Sequence, residues 1–407
     1  MLRGKTVEVT KDITWIGITD PDLRIFDIIM ETKYGTTYNS YFINADKKTI
    51  IETAKEPFKD EYLEKLKSVV NPDEIEYIIL DHTEPDHSGC LKYLLPLAKN
   101  ATVVGSGNAL RYLQDMVGFP FKSQQVKDGD ILDLGNKTIR FISAPNLHWP
   151  DTIFSYLVED KILFSCDAFG AHYCPDNIFD DETANFDEAF KYYFDTIMKP
   201  FSKFMLKGIE KIKDLEINMI CTGHGPLLRR NWKKYVDLSA DLAQRHIDMI
   251  TYDYHQVFIP FVSAYGYTRE MSEKIAEGIR SVGEFNVIVC DIEKMDHFTL
   301  ENHIIKSSAV VVGSPTINQN ILPQIYGLFA AISPIRDKGK LAASFGSYGW
   351  SGEGVTIMDS ILSTLKLNVV LPGLKIRFAP NEVVCNSLFE FGRVFGLKLA
   401  EIKPVVD

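Results

Sequence analysis

The chain has little cysteine, no basic excess and no long apolar run, and each shortage removes a class of protein. Its six cysteines (Cys90, Cys166, Cys174, Cys221, Cys290 and Cys385) include no CxxC pair. Neither a zinc ribbon nor a disulfide framework is therefore expected, and reduced thiols in a cytoplasmic protein are the simplest account. Lysine and arginine number 44 against 55 aspartates and glutamates, for a formal charge of −11. Without a basic face, nucleic acid is not expected as the partner. No apolar stretch approaches the ~18 residues of a membrane span. The opening MLRGKTVEVTKD lacks the apolar core of a signal peptide. At 407 residues, 45% of them hydrophobic and 24% charged, the composition is that of a soluble globular chain too long for one core, so two or three domains are expected.

Histidine is also scarce, with nine in the chain, and this makes the stretch His82-Thr83-Glu84-Pro85-Asp86-His87 informative. It packs two imidazoles and two carboxylates into six residues. The apolar run Tyr77–Leu80 before it reads as a buried strand, which places these potential metal ligands at a strand's C-terminal end. Pro85 is expected to stiffen a loop there and deny it helical continuation.

Around this stretch, residues 5–55 alternate apolar and polar (Val7 and Val9, Ile13 and Trp15, Tyr38 to Phe42, Thr49 and Ile51), which predicts antiparallel strands. A helix carrying Leu63, Leu66, Val69 and Val70 follows, then the strand, then a helix over 91–97. A second unit repeats the scheme: strand 101–104, helix 109–116, and hairpins over 131–141 and 153–165. Two β-rich halves with outer helices predict a four-layer αββα sandwich. Further candidate ligands, His148, Asp167 and His224, each follow a short apolar run, so several strand ends can converge on one edge.

An amphipathic helix from about Trp232 to Tyr254 closes the first domain, expected at residues 1–251. From Val257 the pattern changes to single alternation: strands at 257–262, 286–290, 309–312, 341–345 and either 368–370 or 374–378, with helices at 268–281, 298–306, 321–333, 352–365 and 385–400. That predicts a doubly wound parallel sheet in a second domain, 252–407. Pro260 falls within what should be a central strand, where it removes a ladder donor, so a bulge or a strand start at Phe261 is expected. The first strand–helix loop, Ser263-Ala264-Tyr265-Gly266-Tyr267-Thr268, offers hydroxyls, a glycine and helix N-terminal amides, a cradle suited to a phosphate monoester. Two later strand ends carry Ser314-Pro315-Thr316-Ile317-Asn318 and Ser344-Phe345-Gly346-Ser347-Tyr348-Gly349-Trp350.

The opening loop resembles the HxHxDH signature of the metallo-β-lactamase superfamily with Glu84 in place of the second histidine. With His148, Asp167 and His224, the pattern is similar to that of the flavodiiron proteins, over essentially the whole chain. The resemblance implies a metallo-β-lactamase-like diiron domain fused to a flavodoxin-like FMN domain. It implies that His82, Glu84, His148 and Asp167 hold one iron and Asp86, His87, Asp167 and His224 the other, Asp167 bridging, with His87 displaced from the metal in some relatives. Mixed histidine and carboxylate donors suit redox-active iron, whereas the superfamily's zinc hydrolases lean on imidazoles. His172 and Tyr193 match polar residues lining the family's diiron pocket. Cys166 stands where the family has Asn.

The second-domain loops resemble those of flavodoxins, in which the first holds the FMN phosphate and the later two wrap the isoalloxazine, with Tyr348 or Trp350 against the ring. The implied activity is reduction of O2 to water, of NO to N2O, or both. Electrons would pass through FMN from a separate donor, rubredoxin or reduced coenzyme F420, since neither a rubredoxin module nor an NAD(P)H-oxidising extension follows in the sequence. A head-to-tail homodimer, or a dimer of dimers, would bring one subunit's flavin to the other's irons. Two other readings stay open at this stage: a metal-dependent hydrolase, which would bind zinc and tolerate loss of FMN, and a gas sensor or electron carrier with negligible turnover.

Overall fold

The computed structural model describes residues 2–28, 30–251 and 255–401. The chain separates into two compact units, Met1–Arg245 and His246–Asp407. The predicted domain boundary at 251/252 and the end of the predicted helix at Tyr254 touch residues outside the described ones; the helix itself runs Trp232–Thr251.

The first unit holds a seven-stranded and a five-stranded sheet. In the seven-stranded sheet, Lys48–Ile51, Ile75–Ile79 and Thr102–Gly105 lie side by side in parallel. Adjacent residues on these strands show how the layers form. Side chains alternate across a strand, so Ile51, Ile79 and Val104 pack between the two sheets. Their neighbours Ile50, Ile78 and Val103 turn to the outside, against Tyr62, Leu66, Leu110 and Leu113 of the helices Lys59–Val69 and Gly107–Val117. The five-stranded sheet divides its residues likewise. Phe141, Phe164 and Cys221 face the inter-sheet core, while Ile142, Leu163 and Ile220 face Phe190, Met205 and Tyr235 on the outer helices. The order helix, sheet, sheet, helix is the expected αββα sandwich, and fully buried large side chains such as Trp15, Phe141 and Phe164 fill its middle. Truncating one of these to alanine costs about 3–5 kcal/mol.

The second unit is a parallel sheet ordered Asn286–Asp291, Gln256–Phe261, Ala309–Gly313, Leu341–Tyr348. Both candidates for the fifth strand are present, Asn368–Val369 beside Leu341 and Ala342, and Leu374–Arg377 beside Phe345 to Tyr348. This second pairing carries the strand Leu341–Tyr348 three residues beyond its predicted end at 345. It is the flavodoxin-type order, 2-1-3-4-5.

Three local expectations are corrected. Pro85 does not prevent a helix: Pro85–Ser88 is a short helical turn with Pro85 in its first turn and Glu84 at the N-cap. A proline's missing N–H is no loss there, because first-turn amides have no intrahelical acceptor. Pro260 causes neither a bulge nor a late start; the strand begins at Gln256 and pairs through Pro260↔Cys290. On the other side the pairs Phe258↔Val310 and Phe261↔Gly313 keep one register. Amides alternate between neighbours along a parallel strand, so the ring interrupts a single rung. The helix expected over 91–97 is one turn, Leu91–Leu94.

Candidate metal centre and cofactor loops

Three strands deliver most of the candidate ligands to one edge of the sandwich. Ile75–Ile79 leads to His82, Ile162–Cys166 to Asp167, and Met219–Thr222 to His224. The last two strands pair in parallel, so their C-terminal ends coincide, with a register irregularity between Phe164 and Cys166. There Cys166 adopts a left-handed φ of 46°, and the kink aims Asp167 into the site, a usual service of strand irregularities near active sites. Across the seam, the Ile153 N–H donates to Asp81 O at 2.9 Å and the Asn39 N–H to Gly223 O at 2.8 Å. The Asn39 side-chain amide adds bonds to Thr222 O (2.9 Å) and Gly225 O (3.0 Å).

The side chains form two groups that meet at Asp167. In the first, His148 Nε2 lies 3.1 Å from both Glu84 Oε2 and Asp167 Oδ2, and His82 Nε2 lies 3.2 Å from Glu84 Oε2 and 3.5 Å from Asp167 Oδ2. In the second, His87 Nε2 and His224 Nε2 lie 3.1 and 3.3 Å from Asp167 Oδ1, and His224 Nε2 is 3.1 Å from Asp86 Oδ2. One carboxylate thus divides its two oxygens between two clusters of donors. His82, Asp86, His87, Asp167 and His224 are buried, and Glu84 and His148 nearly so.

The donor set fits a pair of metal ions. Asp86 Oδ1 is buried without a hydrogen-bond donor and Oδ2 faces only His224 Nε2 at 3.1 Å, a state that is costly unless a cation answers it. The imidazoles are turned the right way. His224 Nδ1 sits 2.6 Å from the Thr37 carbonyl, which can only accept, so Nδ1 carries the proton and Nε2 faces the carboxylates. His82 Nδ1 lies 3.4 Å from Asp151 Oδ2, which also accepts from the Thr83 N–H and hydroxyl at 2.8 and 2.7 Å. Holding a ligand imidazole by its far nitrogen is a common support of metal sites.

Without metal the charges pair among themselves. Burial works against the imidazolium of His148, yet the Asp167 and Glu84 carboxylates push its pKa up to about 9. Asp167 and Asp86 likewise push His224 up to about 10 against burial. Burial works against ionised Asp167 too, but the histidines hold its carboxyl well below the usual range. Glu52, fully buried behind the site, is pushed well up by burial.

His172 and Tyr193 stand beside the second group. The rings of His172 and His224 are 5.0 Å apart, those of His172 and Tyr193 4.9 Å, and Phe26 lies on His172 at 4.4 Å. His172 Nε2 and the Tyr193 hydroxyl are both buried with no hydrogen-bond partner. Burial and the neighbouring His224 hold the His172 pKa well down, so the ring is neutral. Cys166 is buried as expected, its Sγ 3.6 Å from His87 Nδ1.

In the second unit the three candidate loops meet. The Thr268 and Ser347 hydroxyls are 3.1 Å apart, and the Thr316 N–H donates to Ser347 O at 2.8 Å. Gly266, at φ 87°, precedes the helix Tyr267–Arg280, and the Arg269 N–H donates to the Ser263 hydroxyl at 3.3 Å. Ser314 is buried with its hydroxyl on Pro315 O, while Ile317 and Asn318 form the exposed tip of that loop. Tyr265 and Trp350 are 84% and 77% exposed, and Tyr348 and Gly349 border Trp350. Ser344 and Phe345 lie lower: Ser344 bonds Asp359 at 2.7 Å and Phe345 is in the core. Gly346 is required where it is, because a Cβ there would lie 2.1 Å from Ser314 O.

Sequence reasoning missed the supporting residues Thr36, Thr37, Asn39, Glu52, Asp151 and Gly223. The first four precede the signature and carry no local pattern. Asp151 had a signal, its place three residues after His148. Gly223 did as well, inside Thr-Gly-His-Gly; a Cβ on it would meet His87 Cε1 at 2.7 Å.

Comparison with known proteins agrees with this geometry. The ODP family beta lactamase profile matches residues 36–225 and the flavodoxin profile residues 259–392. Flavo-diiron protein FprA2 of Clostridium acetobutylicum is 39% identical over 96% of this chain and 98% of its own. The type A flavoprotein fprA of Rhodobacter capsulatus is 35% identical over 98% of this chain and 92% of its own. Among solved structures, the flavodiiron protein of Giardia intestinalis is 30% identical with a TM-score of 0.63, covering 97% of each chain. The rubredoxin oxygen:oxidoreductase of Desulfovibrio gigas is 26% identical with a TM-score of 0.65, over 97% of this chain and 99% of its own. By sequence and by fold, this chain belongs to the flavodiiron proteins.

Proposed function

We propose that the protein reduces O2 to water, NO to N2O, or both, at a pair of irons, with electrons passed through FMN. The observation that carries the reading is the division of Asp167, one oxygen toward each cluster of donors. His82, Glu84, His148 and Asp167 hold one iron; Asp86, His87, Asp167 and His224 hold the other. When bound, the irons supply a site for a diatomic gas and the flavin supplies its electrons. The chain's own part is to hold and orient. Thr37 and Asp151 fix the far nitrogens of His224 and His82. The unpaired His172 Nε2 and Tyr193 hydroxyl are the polar groups available to a small ligand beside the second iron, and Phe26 excludes water from that side. Ser263 and the residues Tyr265 to Thr268 cradle the FMN phosphate. The loops 314–318 and 346–350 border the isoalloxazine, with Trp350 or Tyr348 against it, and Ser344 and Phe345 support the second of these from below.

Glu84, a hard oxygen donor where a zinc hydrolase would place an imidazole, favours iron redox chemistry over hydrolysis. The electron donor is a separate protein or cofactor, rubredoxin or reduced coenzyme F420; the name of the Desulfovibrio gigas relative supports the former. The working unit is a head-to-tail homodimer in the cytoplasm, and the sequence boundary between its two domains falls at 251/252; among the described residues no helix is long and apolar enough to cross a membrane. The test is to reduce iron- and FMN-loaded protein anaerobically and to follow O2 and NO consumption separately with purified donors. Consumption of at least one gas is expected. A loaded sample that consumes neither refutes the reading.

A further inference from the structure

His172 has a buried hydroxyl neighbour outside the ligand set. Thr36, fully buried, places its Oγ1 2.9 Å from His172 Nδ1, 3.5 Å from His224 Nδ1 and 3.3 Å from the Thr37 carbonyl. Its single hydroxyl proton has three possible destinations. His224 Nδ1 is not one, because it carries a proton of its own, donated to Thr37 O at 2.6 Å. The Thr37 carbonyl keeps a second lone pair beside that short bond, but the 3.3 Å approach from Thr36 exceeds the usual length of a hydroxyl hydrogen bond, whereas the 2.9 Å approach to His172 Nδ1 does not. His172 Nδ1 remains. A neutral imidazole that accepts at Nδ1 must carry its proton at Nε2, and Nε2 is the buried nitrogen that has no partner in the protein.

We propose that Thr36 is a positioning residue that donates to His172 Nδ1 and so makes His172 Nε2–H a hydrogen-bond donor aimed into the gas pocket beside Tyr193. A serial arrangement follows. His224 presents Nε2 to the metal cluster and its Nδ1–H to the Thr37 carbonyl, and the shorter of the two remaining approaches takes the Thr36 proton to His172. A buried hydroxyl thereby sets the donor character of a pocket wall that touches no metal. Phe26, 4.4 Å from the His172 ring, holds the plane in which that donor points. Fixing a tautomer through the second nitrogen is how outer residues commonly tune histidines at metal sites; here the tuned ring is not itself a ligand. The inference rests on the pocket assignment proposed above.

The experiment has two readouts. The first is the histidine tautomer, from long-range proton–nitrogen correlation spectra of 15N-histidine protein loaded with diamagnetic zinc, with His172 assigned through His172→Gln. A protonated Nε2 and an unprotonated Nδ1 are expected in the wild type, with no variant required. A protonated Nδ1 overturns the proposal. Thr36→Val, which keeps shape and removes the donor, should give a mixture of tautomers, and Thr36→Ser should restore the wild-type spectrum; an unchanged spectrum in T36V also overturns it. The second readout is gas consumption by the iron-loaded protein. T36V should lower kcat by about tenfold or more at unchanged iron content, with recovery in T36S, within the range typical of outer-residue changes. Unchanged kcat, or a fall matched by lost iron, refutes the positioning role. If the wild type consumes neither gas, the proposed function fails while the spectra still decide for or against Thr36.

Discussion

Asp167→Asn is the most searching perturbation of the centre. The substitution preserves shape and one carbonyl donor but removes a negative charge that faces four imidazole nitrogens at 3.1–3.5 Å. A diferrous pair brings four positive charges into a site whose ligand carboxylates, Glu84, Asp86 and Asp167, supply three negative ones. Removing one leaves a buried excess of two. A unit-charge contact at ~4 Å is worth about 4 kcal/mol at an effective dielectric of ~20, close to a thousandfold in affinity. On the proposed assignment the loss would be shared by both metals, because Asp167 turns one oxygen toward each cluster of donors. Iron content should therefore fall from two per chain to one or fewer under competition from a moderate chelator, with FMN content unchanged. Metal analysis after anaerobic ferrous reconstitution and gel filtration provides the count. A variant that keeps two irons, with wild-type resistance to the chelator, would show that Asp167 does not bridge.

Other consequences are equally direct. Gly346→Ala places a methyl group against Ser314 O, where an added Cβ would lie at 2.1 Å, and should weaken FMN binding at least tenfold while sparing iron; flavin fluorescence titration would show it, and wild-type affinity would count against the loop assignment. Zinc binding to metal-free protein near pH 8 should release protons, since His148 and His224 are pushed up to about 9 and 10 and hold protons below those values that the metal must displace. Apparent affinity should then fall as pH drops, and calorimetry in buffers of different ionisation enthalpy should detect the release; no release would mean the imidazoles are neutral in the metal-free protein. Burial pushes Lys65 down to about 8, beneath the Trp15 ring at 4.1 Å. Between about pH 8 and 10.5 the unfolded chain therefore binds more protons than the folded one, so stability should rise with pH across that window by up to about 3 kcal/mol. Denaturant midpoints at both ends of the window, compared with Lys65→Met, test this; an equal rise in the variant would clear Lys65 of the effect.

Much of this was legible in the sequence because strand ends are visible there. A run such as Tyr77–Leu80 followed by His82 and Glu84 marks both a buried strand and what hangs from its end, and the same reading located His148, Asp167 and His224. Less visible was what depends on approach between distant segments. Thr36 and Asn39 act on residues more than a hundred positions away, and no periodicity records such a partnership. Pro85 and Pro260 were misjudged for a different reason. Proline's cost depends on whether its amide would have had an acceptor, which is decided by helix turn and ladder side, not by residue type. Cys166 likewise reads as a small buried residue, yet its backbone kink turns the next side chain inward.

The clamps at the site's edge carry a mechanical meaning. Asn39 and Ile153 stitch one sheet to the other at the same seam that the candidate ligands span. His82, Glu84, Asp86 and His87 hang from one leaf of the sandwich; His148, Asp167 and His224 hang from the other. A metal pair held between them would act as a rivet through both leaves, and the peptide bonds at the seam would be the stitching that keeps the holes aligned when the rivet is out. Amide exchange at Asn39 and Ile153 would then gauge, residue by residue, how far the leaves part before metal is inserted.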